Sequence, residues 1–263
     1  MRICMGTFFR YLIADLRKTK HLPIRLAHSL IPVGTSILFL IYYTHSAWDN
    51  DTKIVAYFQV LGMGLPLLTG LFCAMLAEQE FSAGGFQNML SVQKRMAVFF
   101  SKLSVLLLFG IFAVLLASAL FGTGYFFWMG QQSVGYLFYW KAALVLMGSS
   151  IFSYVLHLFL AFNFHSGVTI MLGFVESLLS ALLLTGMGEG IWMYVPAAWA
   201  SRFVTLLFYY EKFFVMNGRY DTVDAGVLSD LRTAVWLCAG MAFMGLLAYG
   251  IWACRFEGAG GTE

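Results

Sequence analysis

The sequence predicts an all-α polytopic membrane protein with six transmembrane helices, and three observations carry that prediction. Hydrophobic residues make up 60% of the 263 residues and only 11% are charged, against roughly a quarter charged in an ordinary soluble domain. Long uncharged runs recur, each able to supply the roughly 20 residues that a helix needs to cross about 30 Å of hydrocarbon. Lys and Arg then favour alternate gaps. Arg2, Arg10, Arg17, Lys18, Lys20 and Arg25 precede the first run, only Lys53 follows it, and Lys94, Arg95 and Lys102 lie in the next gap. By the positive-inside rule both termini are cytoplasmic.

Taken in order, the elements start with a segment over residues 7–21. It has apolar Phe8, Phe9, Leu12, Ile13 and Leu16 on one side and Arg10, Arg17 and Lys18 on the other, the pattern of an interfacial helix or of a plain positive-inside anchor. The charges there leave no room for the apolar core of a cleaved signal. Spans are expected at about residues 26–47, 54–77, 103–129, 137–162, 167–187 and 232–254. The third ends at the polar Gly130-Gln131-Gln132-Ser133. The uncharged run from Ala142 to Val175 would be about 51 Å long as one helix, too long for the bilayer even if tilted. It must break, and Asn163, His165, Ser166 and Gly167 form the natural break. Residues 78–102 then form a cytoplasmic loop, and 188–231 an outer region too large for a plain turn.

The composition also excludes functions. A net charge of +3 spread along the chain lacks the dense basic face that nucleic acid requires. No P-loop, HExxH or GxSxG motif occurs, and no His pair has metal-ligand spacing, so no ATP hydrolysis, metalloprotease or serine-hydrolase chemistry is expected of this chain. Cys4, Cys73, Cys238 and Cys254 have no CxxC spacing and read as apolar filler.

The loop 78–102 is the most informative segment. Gly84 and Gly85 open a short helix in which Phe86, Met89 and Leu90 fall at i, i+3 and i+4, one apolar face. Such a helix either presents an apolar knob that fits a groove on a cytosolic motor, or lies flat on the inner leaflet. Glu80, Gly84-Gly85, Phe86-Gln87-Asn88-Met89-Leu90 and Phe99-Phe100-Ser101-Lys102-Leu103 resemble the coupling-helix segment of the permease subunits of lantibiotic self-protection ABC transporters. These belong to the ABC-2 (type V) exporter class. Lys18-Thr19-Lys20-His21, Tyr57-Phe58-Gln59-Val60-Leu61-Gly62, Pro66 and Pro196-Ala197-Ala198-Trp199 are similar to the same pattern, so the resemblance covers nearly the whole chain. One departure is that no Pro follows the coupling helix.

The resemblance implies a permease, closer to the G-type than to the E-type of the two sibling subunits, in the plasma membrane of a Gram-positive bacterium. It implies a heterodimer with a second related permease and two copies of a cytosolic ABC ATPase, which alone would bind ATP and Mg; this chain would hold no cofactor. The substrate implied is a lantibiotic peptide removed from the lipid bilayer. In that reading Glu80, Gly84, Gly85, Phe86, Gln87, Asn88, Met89 and Leu90 couple to the ATPase.

The outer region is strongly aromatic, and Trp192, Tyr194, Trp199 and Phe203 are candidates for a surface that takes an amphiphilic peptide; an interfacial aromatic belt is the competing reading. Its acidic residues, Glu189, Asp221, Asp224 and Asp230, are interleaved with Arg202, Lys212, Arg219 and Arg232, so charge alone selects no substrate. Within the membrane, Glu176 needs a partner, with His157 and Asn163 as candidates, whereas Lys141 can snorkel. Pro66 leaves the carbonyl of Gly62 without a helical donor, which predicts a kink. An ion-coupled transporter or channel built on Glu176 and His157, or a peptide-sensing adaptor, remains the alternative.

Overall fold

The computed structural model describes residues 2–21, 23–216 and 225–258. Helix α1 (Arg2–Lys18) ends in a 3-10 turn and is followed by α2 (Pro23–His45), α3 (Asn50–Ser82), the four-residue α4 (Gln87–Leu90) and α5 (Arg95–Thr123). Then come α6 (Leu137–Asn163), α7 (Ser166–Leu183), α8 (Pro196–Tyr210) and α9 (Ala225–Arg255). Among the described residues there is no strand, and six helices are long and apolar enough to cross a membrane: α2, α3, α5 with its π-helical extension to Trp128, α6, α7 and α9. The chain is therefore a multi-pass membrane protein.

Helices α3 and α9 overrun the expected spans at both ends and α5 at its start, because a helix need not stop where the hydrocarbon does, whereas α7 stops at Leu183, short of the expected 187. Asp49 starts α3 above the apolar run, its carboxylate accepting from the Thr52 amide at 3.0 Å and the Thr52 hydroxyl at 2.6 Å, which satisfies a donor that the helix start leaves over. At 33 residues α3 is about 50 Å long, well beyond the hydrocarbon thickness. Between α6 and α7 the backbone is extended at Phe164 and His165, and the chain reverses there.

The most extensive helix contact is α3 against α7, with α8 also on α3 and α2 on α5. Small residues bring α3 and α7 together. A Cβ on Gly173 would lie 2.6 Å from the Pro66 carbonyl oxygen, and one on Gly70 2.6 Å from that of Thr169. Lipid chains are as apolar as side chains, so close backbone approach of this kind, not the hydrophobic effect, holds membrane helices together. Helix α3 continues through Pro66, and beside it the Leu67 amide donates to Ser177 Oγ of α7 at 3.2 Å.

Candidate functional site

The loop after α3 turns through left-handed backbone at Gly84, Gly85 and Phe86, the last with φ 65°. A bulky residue rarely adopts that conformation, which persists only when packing over-determines it. Here it does. Phe86 is 4% exposed and caged by the rings of Phe81, Phe162 and Phe256 at centroid distances of 5.5, 5.6 and 5.7 Å. Met89 is buried as well. The expected apolar knob is thus corrected: Phe86 and Met89 point into the bundle and anchor the loop, Leu90 is half-buried, and Gln87 and Asn88 form the exposed side together with Gly84 and Gly85. The i, i+3, i+4 periodicity identified a face but not the side to which it turns.

Glu80 lies beneath that loop and is also buried. It accepts from Lys102 Nζ at 2.6 Å and from Lys18 Nζ at 3.1 Å. Lys102, itself 1% exposed, also reaches Asp15 Oδ1 at 3.2 Å, and Ser101 Oγ donates to Asp15 Oδ2 at 2.5 Å. Two carboxylates and two ammoniums therefore join α1, the end of α3 and the start of α5, and balance in charge. They line a cavity of about 130 Å³ whose other walls include Asn88 and Met89 of α4. The two ends of the loop between α3 and α5 are pinned to each other and to α1.

Sequence reasoning missed Asp15, Ser101 and Lys102 as members of this cluster. A signal existed: Asp15, Lys18 and Thr19 stand at i, i+3 and i+4, a polar face on a helix otherwise read as apolar against basic. Asp15 and Thr19 are buried toward the bundle while Phe9 and Ile13 stay exposed, so α1 turns its polar stripe inward.

In the bilayer region, Glu176 meets His157, Oε2 lying 3.0 Å from Nε2. The Thr169 hydroxyl donates to the His157 carbonyl at 3.2 Å and lies 2.9 Å from Nδ1, so both ring nitrogens have a polar neighbour. The carboxyl of Glu176 thus has the polar partner that an intramembrane acid requires. Asn163 is no part of it. Its amide donates to the Phe159 carbonyl at 2.7 Å and accepts from Trp252 Nε1 at 3.1 Å, tying α6 to α9.

The outer candidates separate. Trp199 is wholly buried, its Nε1 donating to the Met193 carbonyl at 2.9 Å, and Trp192 is buried against Phe203, edge to face. Trp192 and Trp199 are therefore interior anchors and not an open surface; Tyr194 is exposed and Phe203 half-buried. The guanidinium of Arg202 donates to the Leu183 carbonyl at 2.8 and 2.5 Å, closing the end of α7. From there α8 packs on the outer part of α3, Gln59 meeting Thr205 at 3.0 Å and Lys212 pairing with Asp51. Lys141 does not merely snorkel, since it pairs with buried Glu211 at 2.5 Å. Arg219, Asp221 and Asp224 lie outside the described residues.

A bundle of six apolar helices carrying a short helix on a braced loop at its basic end defines the class, a polytopic membrane protein. Residues 12–180 match the family described as ABC-2 family transporter protein. The chain belongs to that family. As an ABC-2 membrane component it is the permease subunit of an ABC transporter and works with an ABC ATPase. No curated protein matches the chain.

Proposed function

We propose that this permease, together with a sibling permease and two copies of a cytosolic ABC ATPase that binds the ATP and Mg, removes lantibiotic peptides from the outer leaflet and so protects the cell. The observation that carries the coupled part of this reading is the braced loop. A motor that pushes on Gln87 and Asn88 moves α3, α5 and α1 together, because Glu80, Lys102 and Asp15 tie their ends with buried charges. The substrate rests on the resemblance of the coupling segment to lantibiotic self-protection permeases, and the exposed Tyr194 beside half-buried Phe203 supports contact with an amphiphilic peptide. His157 lies 3.0 Å from Glu176 and so gives the intramembrane carboxyl the partner that a structural role requires.

The test is co-expression with the ATPase and sibling permease in a sensitive Gram-positive host. Resistance to one or a few lantibiotics should rise, unrelated drugs should act as before, and protection should vanish when the ATPase's catalytic glutamate is replaced. Protection against no lantibiotic, with ATP-dependent movement of a lipid, sugar or small drug instead, refutes the substrate and keeps the class.

A further inference from the structure

At the basic end of the bundle, on the side of α5 and α9, lies an open groove of about 620 Å³ that neither the coupling loop nor the ion cluster uses. Its wall changes character with depth. Lys94 and Arg95, at the start of α5, form the rim, and Met96 and Phe100 lie below them, with Cys254 of α9 opposite. Lys94 is exposed, and Arg95 is held at the rim by its Nη1, which donates to the Phe256 carbonyl at 2.9 Å. Among the described residues no acidic side chain lines the groove; Glu257 follows Phe256 in sequence, and exposed Arg255 precedes it.

The apolar wall continues along the bundle, because Met96, Leu247 and Ile251 are 48%, 53% and 60% exposed on helices long and apolar enough to cross the membrane. From Arg95 to Phe100 the helix advances about 7 Å, the step from a headgroup to the first part of an acyl chain. Gly250 allows the fit, since the Met96 methyl and the Phe100 ring lie 3.1 and 3.4 Å from where its Cβ would be. Two cations above an apolar floor match one ligand in both charge and polarity. A soluble anion would use only the rim.

We infer that this groove binds an anionic phospholipid of the leaflet on the side of α1, its phosphate between Lys94 and Arg95 and one acyl chain over Met96 and Phe100 toward Ile251.

The experiment uses the full-length chain in nanodiscs of phosphatidylcholine with or without phosphatidylglycerol. Lipid retained on the protein is read by native mass spectrometry, and maleimide labelling of Cys254 by peptide mapping. Phosphatidylglycerol should be retained over phosphatidylcholine by about thirtyfold, as two cations at an anionic surface supply, and should slow Cys254 labelling. Lys94→Gln with Arg95→Gln should bring retention close to parity. Lys94→Gln alone, which leaves the Arg95 contact with Phe256 intact, should reduce the preference to about fivefold, one cation's share. Equal retention of the two lipids by the unaltered chain, or an unchanged preference in the double variant, overturns the inference. So does displacement by soluble glycerol phosphate, which marks a free-anion site, or shielding of Cys254 by the ATPase in phosphatidylcholine alone, which marks a protein-docking face.

Discussion

Lys102 holds the braced loop together, and replacing it with Met isolates the physics of the cluster. The substitution keeps the length and apolar stem of the side chain and removes the charge that Asp15 and Glu80 share at 3.2 and 2.6 Å. Both carboxylates then stay in place with side chains only 8% and 3% exposed; Glu80 keeps Lys18, and Asp15 keeps the Ser101 hydroxyl. Removing one partner of a buried pair costs about 3–5 kcal/mol, a hundredfold to a few thousandfold in the folded ratio at about 1.4 kcal/mol per tenfold. Lys18→Met is the control: that side chain is 46% exposed, and an exposed pair is worth about 0–1 kcal/mol.

The decisive comparison is the triple variant Asp15→Asn, Glu80→Gln, Lys102→Met, which removes all the central charges at once. Replacing a buried ion set by apolar residues of similar volume is often neutral or stabilising, and the amides of Asn and Gln lose the charge but still need partners, so the triple variant should recover part of what the single one loses. Denaturation of the purified chain in detergent gives the stabilities, and hydrogen exchange along α1 shows whether that helix loosens first. A Lys102→Met variant no less stable than Lys18→Met, or a triple variant as unstable as the single one, would refute the idea that these buried charges depend on one another.

Other outcomes follow from the same geometry. Phe86→Asp should expel the loop from its aromatic cage and abolish assembly with the ATPase, whereas Gln87→Ala, on the exposed side, should leave the fold intact and weaken ATPase binding alone; co-purification separates them. Glu176→Gln should keep expression and transport, because the amide can donate to Nε2 of His157, whereas Glu176→Leu leaves a buried acceptor unpaired at about 1–3 kcal/mol. Lost transport with normal folding in Glu176→Gln would instead restore the ion-coupled reading. Gly173→Leu should separate α3 from α7, since its Cβ alone would stand 2.6 Å from the Pro66 oxygen, and should be seen as loss of folded protein on size-exclusion chromatography. Trp199→Ala should cost about 3–5 kcal/mol as a large core truncation without selectively changing peptide protection, because Trp199 has no exposed surface.

The sequence alone determined the solvent, the number of crossings and the absence of the phosphate-cradling motif, because these follow from local composition: an uncharged run of sufficient length has few options in a bilayer. The break between α6 and α7 was legible for the same reason, one helix being too long and the polar residues sitting where it had to end. Only the tertiary structure decided which way each side chain turns. Phe86 reads as an outward knob in the sequence and is an inward anchor, because periodicity gives a face and the neighbouring Phe162 and Phe256 give its direction. Trp192 and Trp199 read as interfacial and are interior, since an aromatic side chain is equally at home in a belt and in a core. Glu176 needed a partner on any reading, and the packing chose His157 over Asn163. Asp15, Glu80 and Lys102 come together from three separate helices, 87 positions apart at the widest, and no local pattern encodes a contact between charges that far apart in the chain.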